Sequence, residues 1–212
     1  MKIKSTSRIA HRLLPLTFAA MLLRTAFAQG NPVSIPILNP QFNVDKMYTS
    51  TGAPCTSTQG GNCYQLSITG WTVGPQTLVQ VSSTTQFPGV PAAGLYVAAL
   101  GGADRVCAVS GSILQTLGDT LQADTSYTLK VKLGARLDLE FTGYNAALMA
   151  GNLILASANS ATPTPGTFVT ETITYKSGAS PAQLGKPLQI FITSVGPGQV
   201  NISDVSLTAQ SN

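Results

Sequence analysis

Apolar and polar residues alternate most clearly between Gly111 and Arg136. Tyr127, Leu129, Val131 and Leu133 interleave with Thr128, Lys130 and Lys132. A period of two sends successive side chains to opposite faces, so this run predicts a strand with one buried face and one face of lysines. Ile113 and Leu117 share a face in the run before it, and Gly118-Asp119 supplies a turn signal between the two. The pair predicts two antiparallel strands in a hairpin that buries one side.

The same pattern recurs along the chain. Strands are predicted over Val33–Leu38, Gln65–Trp71, Thr77–Val81, Leu95–Leu100, Arg105–Leu117, Leu137–Met149, Leu153–Ala158, Phe168–Tyr175, Leu188–Ser194 and Val200–Thr208. Gly- and Pro-rich turns separate them, as at Gly74-Pro75, Phe87-Pro88-Gly89-Val90-Pro91 and Thr162-Pro163-Thr164-Pro165-Gly166. About ten short strands at even spacing, with no helical period among them, predict an all-β sandwich or barrel.

The first residues read differently. Lys2, Lys4, Arg8 and Arg12 precede an apolar run from Leu13 to Leu23, and Ala26-Phe27-Ala28 has the form of a cleavage site. Residues 1–28 are therefore expected to be a secretory signal peptide, with a single domain over 29–212 and an extracellular or periplasmic destination. No later stretch is long and apolar enough for a membrane anchor.

This division changes the charge. The whole chain has 12 basic and 8 acidic residues, but Lys2, Lys4, Arg8, Arg12 and Arg24 lie before the cleavage site. Seven basic residues then face eight acids, which gives no reason to expect a nucleic-acid partner. The single histidine, His11, leaves with the same segment. Without it the chain cannot build a Ser-His-Asp or Cys-His group, or a histidine metal site.

Three cysteines remain. Cys55 and Cys63 share a polar loop and are expected to form a disulfide, with Cys107 as a buried thiol; the rival pairing joins Cys107 to one of the loop cysteines.

Several residues are candidates for chemistry. Trp71, the sole tryptophan, could offer a stacking platform to a sugar, or could close one end of the core with its N–H bonded locally. Tyr96 lies in an apolar run and Tyr144 beside Gly143 near a strand bend, which makes Tyr144 the better ligand-facing candidate. Arg136, Asp138 and Glu140 share one face at spacing two, the pattern of a solvated or salt-bridged strand.

Four pieces of the sequence carry a family resemblance. They are Asn39-Pro40-x-Phe42, Thr69-Gly70-Trp71, Thr125-x-Tyr127-Thr128-Leu129 with Gly134-x-Arg136, and Asn201-x-x-Asp204-Val205-x-Leu207. Together they resemble secreted bacterial jelly-roll domains of the galactose-binding-like class, similar to carbohydrate-binding modules. The resemblance implies a two-sheet antiparallel jelly roll. It also implies a structural calcium, with Asn39, Asn43 and Asp204 as the candidate ligands. Asn43 stands where the family usually has glutamate, so one negative charge is lost there.

The order of pieces, with Leu95-Tyr96-Val97-Ala98 and Tyr144, also resembles the Stig cyclases, which rearrange and cyclise isonitrile indole alkaloids. In that family an aspartate protonates the substrate in an aromatic pocket. Asp204 best matches the acid, and Tyr96 and Tyr144 the pocket lining. Two functions are thus expected. The favoured one is a non-catalytic binding module for a carbohydrate or cell-surface glycan, which fits the missing histidine and the few charges. The alternative is a Stig-cyclase-like enzyme acting on a small hydrophobic, alkaloid- or terpenoid-like molecule.

Overall fold

A computed structural model describes residues 30–55, 63–91, 94–102 and 110–212. The signal peptide expected at residues 1–28 and Cys107 lie outside the described residues. Twelve strands are seen among the described residues: β1 (Val33–Ile35), β2 (Tyr64–Gln65), β3 (Thr72–Val73), β4 (Thr77–Ser82), β5 (Leu95–Leu100), β6 (Ser112–Thr120), β7 (Thr125–Ala135), β8 (Tyr144–Ala150), β9 (Leu153–Ala158), β10 (Thr167–Lys176), β11 (Pro187–Ser194) and β12 (Val200–Ser211). No helix among the described residues is long and apolar enough to cross a membrane.

The strands form a two-sheet antiparallel sandwich. One sheet runs β10-β7-β12-β5-β4-β2, with β1 added to β12; the other runs β3-β6-β11-β8-β9. Leu129, Val131 and Leu133 of β7 belong to one buried core with Leu188, Ile190 and Ile192 of β11 and Ile113 of β6. This core is what the period-two pattern encodes, since each strand gives one face to it.

Consecutive strands do not all pair. The expected hairpin of β6 with β7 is absent: β6 pairs with β11 and β3, whereas β7 pairs with β10 and β12. Gly118-Asp119 stays inside β6, and the chain turns at Leu121–Asp124, where Asp124 has φ +46°. Alternation shows which face is buried but not which sheet a strand joins. Strand β1 stops before Pro36, which has no N–H to give the ladder. Residues 137–143 precede β8 as a loop, and Gly143 at φ +108° sets the entry to the strand. Strand is likewise reduced to short pieces around Trp71, in β2, β3 and an Ile68–Trp71 bridge. Cys55 and Cys63 are disulfide-bonded, with their Cα atoms 6.0 Å apart.

One topological detail positions the site. Strand β12 pairs with β7 along most of its length, but its other edge is shared. Residues Val200–Ile202 pair with β5, and Leu207–Ala209 with β1. Between these stretches the edge is open to the 36–43 loop, and Val205 donates its N–H to the Pro40 carbonyl at 3.1 Å.

Candidate active site

In that opening β12 carries a β-bulge. Ile202 pairs with Leu133, and Asp204, not Ser203, pairs with Lys132. Ile202 and Val205 both face the core, so the extra residue turns Ser203 and Asp204 together to the outer face. Gln41 and Asn43 from the loop, Leu95 and Tyr96 of β5, Lys132, Ser203 and Asp204 line a cleft of about 290 Å³ there. Ser203 is only 5% exposed, and its hydroxyl oxygen is buried without a hydrogen-bond partner among the described residues. Asp204 is half-buried.

A second cleft of about 490 Å³ adjoins it, with Leu95 and Lys132 in both linings. Its walls are Phe87, Pro88, Val90, Pro91, Pro165 and Phe168. Phe87 and Phe168 stack with ring centroids 4.4 Å apart. The ring of Phe168 lies against its cross-strand partner Gly134: a Cβ there would come 2.5 Å from a ring carbon. Only a residue without a side chain leaves room for the ring to lie on β7. The Lys132 ammonium stands over the same ring, 5.7 Å from its centroid. The face thus offers one carboxyl, one cation and an apolar, aromatic wall. That is the composition of a small-molecule site.

The structure brings Tyr96, Asn43 and Asp204 together and places the other candidates elsewhere. Trp71 is 7% exposed, donates its indole N–H to the Asn39 carbonyl at 3.3 Å and packs against Phe42, so it closes the core and leaves no platform. Tyr144, favoured from the sequence as ligand-facing, is 1% exposed between the sheets. Its hydroxyl donates to Glu171 of β10, which also accepts from the N–H of Ala161 at 3.2 Å and of Ser160 at 3.3 Å. Desolvation pushes the Glu171 carboxyl up, but these donors and the Thr172 N–H together outweigh it and hold it below the usual range. Burial, and then the bond to Glu171, raises the Tyr144 phenol. Arg136 and Asp138 form a bidentate ion pair, but in the loop after β7 and not on the strand face that their spacing suggests.

The expected calcium ligands do not fit a common cation. Asn39 donates its amide N–H to Asp45 and accepts the Val44 N–H on its side-chain oxygen. Its carbonyl accepts from both Phe42 and Trp71. Asp45 is bound in turn by the N–H and hydroxyl of Thr69. Asn39 is committed to this network, whereas Asn43 and Asp204 line the cleft.

Phe87, Phe168, Lys132 and Ser203 were not candidates from the sequence. For Ser203 a signal existed: Ile202 and Val205 are three apart in a strand of period two, which marks a bulge. For the phenylalanines none did, because strand pairing alone brings the turn after β4 to β10 and Gly134.

Known proteins resemble this chain in family and in fold. The sequence profile of the HpiC1-like family, HpiC1 cyclase, matches residues 33–208. No curated protein matches the sequence. A cyclase from Fischerella sp. TAU superposes with a TM-score of 0.69 at 25% identity, covering 84% of this chain and 98% of the other. A Stig cyclase from Fischerella sp. TAU, in complex with (3Z)-3-(1-methyl-2-pyrrolidinylidene)-3H-indole, superposes at 0.67 with 24% identity, over 84% and 98% of the two chains. A further cyclase from Fischerella sp. TAU, in complex with 4-(1H-indol-3-yl)butan-2-one, superposes at 0.66 with 23% identity, over 84% and 97%. The expectation of a non-catalytic carbohydrate-binding module is corrected by these matches. It is corrected too by the burial of Trp71 and Tyr144, which removes both aromatic platforms on which it relied. The residue pattern, the two-sheet sandwich and the profile agree: the chain belongs to the HpiC1 cyclase family.

Proposed function

We propose that the protein is a cyclase that protonates and ring-closes a small, hydrophobic, unsaturated substrate on the outer face of the seven-stranded sheet. The observation that carries this reading is the placement of Asp204 and Tyr96 in one cleft that adjoins the Phe87–Phe168 wall. The indole ligands held by similar cyclases support an indole-bearing or terpenoid-like molecule as the class. The Asp204 carboxyl is the proton donor to the substrate. The electron-poor centre so formed is attacked by a π bond of the same molecule. A new carbon–carbon bond closes the ring, and the proton lost from the ring returns to the Asp204 carboxylate. Nothing is gained or lost, so the product is an isomer of the substrate. The apolar wall of Pro88, Val90, Pro91 and Phe168, with Phe87 buried behind Phe168, keeps water from trapping the positive charge as it develops.

The test is incubation of the protein with indole isonitriles that carry a terpenoid chain, followed by liquid chromatography and mass spectrometry. The expected result is a new peak of unchanged mass. Failure of every such substrate to isomerise contradicts the proposal.

A further inference from the structure

We propose that Lys132 holds an anionic group, of carboxylate type, on an otherwise apolar substrate, so that this site selects an amphiphilic anion. The inference rests on reading this face as the substrate site, but not on the cyclisation step.

Three observations lead to it. Among the described residues Lys132 is the one cation lining either of the two clefts, and it lines both. Its ammonium is not paired with a carboxylate: Arg136–Asp138 is the only ion pair within 4.0 Å among the described residues. It is held over the ring of Phe168, between the apolar wall and Asp204. A lysine on a solvated strand face normally extends into water, as the alternation alone suggests. This one is directed across an aromatic ring that forms part of a cleft.

The ammonium donates and carries a positive charge, so it suits an acceptor oxygen, and an anionic one best.

The chemistry of the proposed reaction points the same way. Positive charge developing in the substrate beside an unneutralised ammonium is opposed by Coulomb repulsion in a cleft with apolar walls. A substrate anion at Lys132 removes that repulsion. The other charged or polar residues that line the clefts are Asp204, Ser203, Tyr96, Thr167, and Gln41 and Asn43 from the loop, none of which supplies a competing cation.

The test uses two probes of nearly equal shape, 3-(1H-indol-3-yl)propanoate and the neutral ketone 4-(1H-indol-3-yl)butan-2-one, titrated calorimetrically into the full protein. The carboxylate is expected to bind about tenfold more tightly, and added salt should weaken only the carboxylate. In Lys132→Met the preference should vanish while ketone affinity stays within about twofold, and Lys132→Arg should keep it. Equal binding of the two probes, an unchanged preference in Lys132→Met, or no carboxylate binding at millimolar concentration overturns the inference. Isomerisation of neutral substrates without a carboxylate preference removes this inference alone, and a carboxylate preference without any isomerisation removes the cyclase reading alone.

Discussion

Lys132 and Asp204 are cross-strand partners on β7 and β12, yet they form no ion pair. Opposite charges placed this way on a sheet normally attract. Here the lysine is drawn over Phe168, and the carboxyl sits in the cleft beside Tyr96. The bulge at Ser203 creates this arrangement. It keeps Ile202 and Val205 in the core while turning two successive polar residues outward. The acid and the cation are therefore both available to a third molecule.

Ser203→Ala tests whether the buried hydroxyl supports the fold. Replacing a hydrogen-bonded buried serine normally costs about 1 kcal/mol. Because the Ser203 hydroxyl has no partner among the described residues, the variant should melt at the wild-type temperature or slightly above it. A clear fall in melting temperature would mean that the hydroxyl is bonded within the protein.

Gly134→Ala tests the aromatic wall. The added methyl meets three carbons of the Phe168 ring at 2.5–2.9 Å, so the ring must leave the sheet. A stability loss of about 1–3 kcal/mol is expected from overpacking. Unfolding by denaturant measures it, and affinity for 4-(1H-indol-3-yl)butan-2-one should fall in parallel. Unchanged affinity would place the ligand away from Phe168.

The buried Tyr144–Glu171 bond predicts a pH dependence of stability. Glu171 is held below its ordinary value, so it stabilises the fold above the unfolded glutamate pKa of about 4.3, and this is lost as pH falls through the lower folded value. Glu171→Gln puts an amide donor among hydroxyl and N–H donors and should cost about 1–3 kcal/mol at pH 7. The difference in melting temperature between wild type and variant should narrow between about pH 5 and pH 3. A difference constant over that range would show that the carboxylate is not the stabilising form.

Much of the architecture was legible in the sequence because burial in a sandwich imposes period two. Leu129, Val131 and Leu133 could be assigned to the core directly. The pairing of β6 with β11 was not legible, since a strand's own residues do not name its neighbour. The site was legible in part. Asp204, Tyr96 and Asn43 were found through short motifs and do share a cleft. For Trp71 the sequence offers a platform or a core-closing role and the structure shows the second; Tyr144 was misplaced as ligand-facing because an aromatic residue near a turn looks alike whether its polar tip meets a ligand or a buried acceptor. Here Asn39 and Glu171 supply those acceptors. Lys132 was assigned to a solvated face, and only the approach of Phe168 gives it another role.

The most direct test of the account compares wild type with Asp204→Asn in the isomerisation of a terpenoid-bearing indole isonitrile, with ligand binding measured on both proteins. Asparagine keeps the shape of the side chain but has no carboxyl proton to give. The account predicts that the variant binds 4-(1H-indol-3-yl)butan-2-one within a few-fold of wild type and loses at least about a hundredfold in rate, the scale of general acid catalysis. A variant that folds, binds and forms the isomer at the wild-type rate would contradict it.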